Sequence, residues 1–174
     1  MVAIKNLLFF ATAISALTIG KRDTATILND IAAIDTNVQA VTTAANNYNG
    51  GILAAIPIVT AEGNLETAID QGTTDAQATS QQTSADSQSV IAAIDNLIPN
   101  IEASLAAITV KKPQFDADGL TATVQTTLGS LKAKTDAFSD ALIAIASEDT
   151  KDAGTAQKAR IDSDFDAAIA AFAA

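Results

Sequence analysis

The 174-residue chain contains no cysteine, no histidine and no tryptophan. Without cysteine there is no disulfide scaffold and no thiolate nucleophile, so a domain of this size has to stand on its apolar core. Without histidine the commonest general base and the commonest metal ligand are gone as well. Only a carboxylate-based hydrolase would remain, and the acidic pairs on offer, such as Glu62 and Glu66 at one-turn spacing, have no positioned partner. Asp162, Asp164 and Asp166 match the start of a calcium loop, but the sixth position is Ala167 rather than Gly and no Glu follows at the twelfth. That alternation reads as a solvated acidic face. The sequence therefore assigns no catalytic residue, no metal site and no cofactor, and the expectation is that the chain is not an enzyme.

Positive charge is scarce too. Asp23 to Val110 holds no Lys or Arg at all, which argues against nucleic acid and anionic bilayers as partners. Aromatic residues make up only 4% of the chain against 48% hydrophobic residues overall, so the core must be built from Ile, Leu, Val and much Ala. That palette favours close helix packing over a sheet sandwich. No Asn-x-Ser/Thr sequon occurs, while the abundant Thr and Ser leave O-linked mannose open.

What is present begins with a leader. Met1 to Gly20 carries Lys5, the apolar run Leu7-Leu8-Phe9-Phe10 and small residues at Ala11, Ala13 and Ala16, the pattern of a secretory signal. The apolar stretch is short of the ~20 residues of a membrane span. Lys21-Arg22 reads as a dibasic processing site, so residues 1–22 are expected to leave and 23–174 to form a single helical-bundle domain, secreted and without a transmembrane anchor. Losing three of the ten basic residues and none of the twenty acidic ones leaves a mature balance of −13. A chain of that length buries about 68–70% of its unfolded surface, enough for one core.

Ile27, Ile31, Ile34, Val38, Val41 and Ala45 recur in steps of four and three, which predicts a first helix over about Thr24 to Asn46. The run Asn46-Asn47-Tyr48-Asn49-Gly50-Gly51 ends it. A second helix begins near Ile52, with Ile56, Val59, Leu65 and Ile69 apolar and Pro57 in its first turn or at a kink. The polar stretch Gly72 to Ser89 is assigned to helix, since nothing beyond Gly72 breaks one. Val90, Ile94, Leu97, Ile101, Leu105 and Ile108 define a third helix, kinked at Pro99 and stopped by Lys111-Lys112-Pro113. A fourth covers about Gln114 to Ala146 with a bend near Gly119, Ser147 to Thr150 turns the chain, and the last presents Ile161, Phe165, Ile169 and Phe172. The fold class is all-α, an antiparallel bundle of about five helices.

Stripes on every helix are ordinarily a filled core. An Ala-rich bundle with bulky residues at intervals can also enclose a tube suited to an acyl chain. Burying about 16 methylenes at ~0.8 kcal/mol each gains about 12 kcal/mol before ordering costs, which leaves room for micromolar binding.

Several elements together resemble a known family: the stripe Ile27-x3-Ile31-x2-Ile34-x3-Val38, the Gly50-Gly51 break, Leu97-Ile98-Pro99-x-Ile101, Lys111-Lys112-x2-Phe115-x3-Gly119, Leu128-x2-Leu131-Lys132 and Ile161-x3-Phe165-x2-Ala168-Ile169. Over essentially the whole mature chain this is similar to the fungal hydrophobic surface-binding protein A and antigenic cell-wall galactomannoprotein family. The resemblance implies a secreted, non-enzymatic helical domain that adsorbs to hydrophobic surfaces or sits in the cell wall beside its polysaccharide. It also implies fatty acids held in the bundle interior, as in some members. Unlike anchored wall proteins, the chain shows no Ser/Thr/Pro-rich stalk with a hydrophobic tail, so release or loose wall association is expected.

Two functions follow as expectations. In the first, the bundle holds a long-chain fatty acid or other lipid against Ile34, Ile56 and Ile69, then Leu97 and Ile101, then Leu128, Leu131, Phe138 and Leu142, and finally Ile161 and Phe165. In the second, a surface-active structural protein exposes its amphipathic stripes to coat hydrophobic surfaces and recruit hydrolases.

Overall fold

A computed structural model describes residues 11–173, with side chains from Thr24 onward. The expected leader therefore lies outside the described residues as far as Phe10, as do the side chains of the Lys21-Arg22 site. Helix α1 spans Ala11–Asn47, α2 Ile56–Ala78, α3 Ser84–Val110, α4 Lys112–Ala117, α5 Thr121–Ile145 and α6 Lys151–Phe172, with a single 3-10 turn at Ile52–Ala55. There is no strand among the described residues, in line with the helix packing that the Ala-rich, aromatic-poor composition favours. Five helices are long, and α4 is a short sixth.

The stripes of α1 and α3 behave as their periodicity dictates. Ile27, Ile31, Ile34, Val38, Val41 and Ala45 are all buried, and so are Val90, Ile94, Leu97, Ile101, Leu105 and Ile108. Pro99 is accommodated inside α3, and Pro57 sits in the first turn of α2, where its missing N–H costs no intrahelical bond.

Two stretches expected to be continuous helix are broken. Between Gly72 and Ser89 the chain leaves the helix at Ala78, because Thr79 is extended at φ −88 and ψ 139. It re-enters at Ser84, with the Thr83 hydroxyl accepting the Asp86 N–H at 3.2 Å as an N-cap. The expected helix from Gln114 to Ala146 is likewise two: Gly119 takes φ +70, a left-handed conformation that ends α4 and redirects the chain into α5. The first helix also extends back beyond Thr24 to Ala11.

The long helices close a ring in the order α1, α2, α5, α6, α3 and back to α1. Cross-helix contacts give the directions. Lys158 to Asp140 and Lys132 to Asp162 show α5 and α6 antiparallel, as α1 and α2 are across their short connection. Glu66 with Ser130 and Asp70 with Lys134 show α2 and α5 parallel. Asp35 with Asn100 and, farther along, Asn46 with Lys111 at the end of α3 do the same for α1 and α3, as do Gln157 with Asp95 and Arg160 with Glu102 for α3 and α6. A ring of five cannot alternate throughout, so parallel neighbours are unavoidable.

The two ends are fastened differently. At the end holding the α1–α2 connection, Tyr48 stacks on Phe115 at 4.6 Å and Phe115 meets Phe172 at 6.2 Å. The Tyr48 hydroxyl and the Gly51 N–H both donate to Asp118, and the Lys111 ammonium donates to the Asn46 and Tyr48 carbonyls at 2.9 and 2.6 Å. Burial and the neighbouring Asp118 raise the Tyr48 hydroxyl to about 12. At the other end hydroxyls take over: the Ser147 N–H donates to Ser87 Oγ at 2.9 Å, and Ser84 donates to Asp149 at 2.6 Å.

Two helical stretches, Ile52–Ala78 and Ser84–Val110, have the length and hydropathy to cross a membrane. Here both are members of the ring and turn Leu65, Ile69, Leu97 and Ile101 into the shared core.

Candidate functional site

The ring encloses a cavity of about 650 Å³, inside the ~300–1,000 Å³ range of small-molecule sites. All five long helices line it. α1 brings Ile34, Val38 and Val41; α3 brings Ile94, Leu97, Ile101, Leu105 and Ile108; α6 brings Ile161 and Phe165. α5 supplies Leu128, Leu131 and Phe138, and Phe115 of α4 closes the end at which the rings stack.

Ten of the eleven residues expected from the sequence to line a ligand site meet here: Ile34, Ile56, Ile69, Leu97, Ile101, Leu128, Leu131, Phe138, Ile161 and Phe165. Leu142 does not. One turn beyond Phe138, it borders a separate space of about 40 Å³ with Val90, Ile91 and Gln157. The ring of Phe138 lies across α2, where a Cβ on Gly72 would stand 3.0 Å from its Cε2, so the small residue is what lets the aromatic ring approach.

The start of α2 departs from the expected stripe. Its buried side is Ile58, Ala61, Leu65, Ile69, Gly72 and Ala76, a clean three-four rhythm. Ile52, Ile56 and Val59 lie off that phase and stay 65%, 56% and 61% exposed, yet all three border the cavity. They form its rim. Leu53 on the 3-10 turn, 79% exposed, extends the same apolar surface outward.

The opening lies between the first halves of α2 and α5. Thr60, Glu62, Gly63 and Glu66 edge it from one side and Thr123, Val124 and Thr127 from the other. Burial raises the Glu62 carboxyl above its usual range, partly offset by a hydrogen bond with Thr127 and reinforced by the neighbouring Glu66. The Ser130 hydroxyl donates to Glu66 Oε1 at 2.8 Å. Farther along this seam, Lys134 binds Asp70 at 2.5 Å. No Lys or Arg lines the cavity among the described residues.

Sequence reasoning missed this polar rim. Its signal was present in the phase slip between Val59 and Leu65, where Glu62, Gly63 and Glu66 interrupt the apolar face. Away from the cavity, Asp162 and Asp166 face Lys132 of α5, and no metal-binding group of His, Cys, Asp or Glu occurs among the described residues. The arrangement offers apolar volume with a narrow polar edge and no aligned acid, base and nucleophile.

The geometry has counterparts in solved structures. A crystal structure of AfMP4p in complex with palmitic acid superposes with a TM-score of 0.84 at 43% identity, covering 86% of this chain and 99% of that one. Ligand-binding domain 1 of the Penicillium marneffei MP1 protein, complexed with arachidonic acids, matches with a TM-score of 0.82 at 13% identity over 86% of this chain and 98% of that one. Domain 2 of the same protein, complexed with multiple arachidonic acids, gives 0.79 at 18% identity over 83% of this chain and 92% of that one. The two MP1 domains share the fold. No curated protein sequence matches the chain. The model of the hydrophobic surface binding protein A family matches residues 24–144, and the chain belongs to that family.

Proposed function

We propose that this chain is an extracellular, non-enzymatic lipid carrier or scavenger that holds a long-chain fatty acid inside its ring of five helices. The observation that carries the reading is the cavity of about 650 Å³, lined by aliphatic and aromatic side chains from every long helix and open along one seam. Apolar burial supplies the affinity, at ~0.8 kcal/mol per methylene, and micromolar binding needs only about 8 kcal/mol of it net. The palmitic acid in the 43%-identical AfMP4p structure supports the same ligand class here. Ten of the residues singled out in the sequence would contact the chain of the ligand; Leu142 would not.

Residues 1–22 serve as the secretory leader on this reading, with Lys21-Arg22 as the processing site and 23–174 as the working domain. The family match beginning at residue 24 is in keeping with that division. The mature protein then resides in the medium or loosely in the wall beside its polysaccharide. The absence of Cys and His removes the usual nucleophile and base and supports a binding rather than a catalytic role.

Titration calorimetry on protein stripped of lipid tests the central reading. Palmitic acid is expected to bind one or a few molecules per chain with micromolar or tighter affinity; no heat and no displacement of a fluorescent fatty acid would refute it.

A second activity is favoured by one observation. Ile52, Leu53, Ile56 and Val59 form an exposed apolar surface continuous with the cavity rim, and Val110 at the same end of the bundle is 73% exposed. This surface suits adsorption to hydrophobic material. Leu53→Glu places a charge in its centre without touching the core, so it is expected to reduce depletion onto hydrophobic beads severalfold at high salt while leaving the melting temperature unchanged. Equal depletion of both proteins would show that adsorption uses another surface.

A further inference from the structure

The cavity contains nothing that would neutralise an anion. Its ionisable lining groups are Glu62 and Glu66, both on α2 at the opening; the hydroxyls of Ser104, Thr135 and Ser139 elsewhere in the lining are uncharged, and a headgroup left nearest solvent once the chain is inside lies beside the two carboxyls. The other polar groups at that edge are the hydroxyls of Thr60, Thr123 and Thr127. A carboxylate placed there would face two negative charges across a partly desolvated gap, whereas a hydroxyl or a neutral carboxylic acid would donate a hydrogen bond to them.

The surroundings do not reverse this. On α5, Lys134 is engaged by Asp70 and reaches Glu66 only through its field, while Lys132 sits among Asp136, Asp162 and Asp166. On α1, the other neighbour of α2, Asp35 binds Asn100 and Gln39, and Asp30 lies against Asp75 of α2. The 3-10 turn, Ile-Leu-Ala-Ala, carries no charge. Thr127 hydrogen-bonds to Glu62 and Ser130 donates to Glu66, which positions both carboxyls without supplying a positive charge.

We propose that the cavity selects acyl ligands with an uncharged, hydrogen-donating headgroup, taking a fatty acid as the neutral acid and a fatty alcohol equally well, with Glu62 and Glu66 rejecting the carboxylate anion. This rests on the acyl-binding reading above and names the chemical form of its ligand. It makes loading sensitive to acidity: the protein takes up fatty acid where the medium is acid and gives it up where the medium is neutral. The elevated Glu62 carboxyl works in the same direction, since its own protonation removes one of the two repelling charges.

The test compares palmitic acid with 1-hexadecanol, titrated into stripped full-length protein at about pH 5 and about pH 8, for the native chain and for Glu62→Gln/Glu66→Gln. Both glutamates are half-buried at the edge, and hexadecanol binding by the variant checks that its cavity is intact. The expected result is palmitic acid binding at least ~10-fold weaker at the higher pH, hexadecanol unchanged within ~2-fold, and the variant recovering at least ~5-fold of the lost affinity. Palmitic acid bound as tightly at the higher pH as at the lower would overturn the proposal. So would a pH-dependent loss that the double variant leaves untouched, since the headgroup would then lie away from these carboxyls. Failure of both ligands at both pH values would instead remove the acyl-binding reading itself.

Discussion

Leu97→Phe/Ile101→Phe is expected to lower fatty-acid affinity by roughly 60-fold while leaving the stripped protein as stable as before or more so. Both side chains lie on the cavity face of α3 and are buried, at 4% and 7% exposure. The two substitutions add about six carbons to the interior. If half of them displace ligand methylenes worth ~0.8 kcal/mol each, about 2.4 kcal/mol of binding is lost. The stability readout separates a cavity from a filled core. In a close-packed interior each enlargement costs about 1–3 kcal/mol in strain, so the pair would lower the melting temperature markedly. Here the added rings have space to enter and gain contacts. Unchanged affinity, or severe destabilisation, would mean that α3 does not face an accessible volume.

The second large effect concerns thermal stability. An apolar space of this volume forfeits packing contacts that its lining side chains would otherwise make, and water entering through the seam does not replace them. Ligand binding should therefore be strongly linked to folding. At a free palmitic acid concentration of about 100 times the dissociation constant, linkage adds about 2.7 kcal/mol. For a chain of this length that corresponds to a rise in melting temperature of about 5–11 °C. At the same palmitic acid concentration the rise should shrink to about 1–2 °C in Leu97→Phe/Ile101→Phe, whose affinity is ~60-fold lower. A stripped protein that melts at the same temperature with and without palmitic acid would deny the linkage.

The parts of this architecture legible in the sequence are those set by a regular repeat. Six residues from Ile27 to Ala45 and six from Val90 to Ile108 define the inner faces of α1 and α3, because a 3.6-residue helix can bury such a spacing along only one side. Punctuation was legible where a residue forbids continuation, as at Gly50-Gly51 and Lys112-Pro113. It was not where a cap does the work. Thr79 and Thr83 sit in a polar, helix-compatible stretch, and only their backbone and hydroxyl geometry ends one helix and begins the next.

The site was half legible. Side-chain type located most of the lining, since bulky apolar residues on a bundle's inner faces must meet near its axis. Leu142 shared that signature and fell beyond Phe138, because where a stripe leaves the cavity depends on which ring crosses it, and that depends on the small Gly72 on a neighbouring helix. A filled core and a hollow one also use the same stripes. The interior is enclosed by five helices closed in a ring, in which α2 and α5 lie parallel and meet through Glu66 with Ser130, Asp70 with Lys134 and Phe138 against Gly72, pairings of residues some 64 to 66 positions apart. Ile56 and Val59 show the remaining ambiguity: apolar in sequence, they belong to the rim because Ile58 and Ala61 carry the buried phase.

Native mass spectrometry of the purified protein, before and after extraction with organic solvent, tests the central claim most directly. Extra mass matching one or more long-chain fatty acids, lost on extraction and restored by adding palmitic acid, is the predicted result. A bare chain that takes up no added palmitic acid would contradict it.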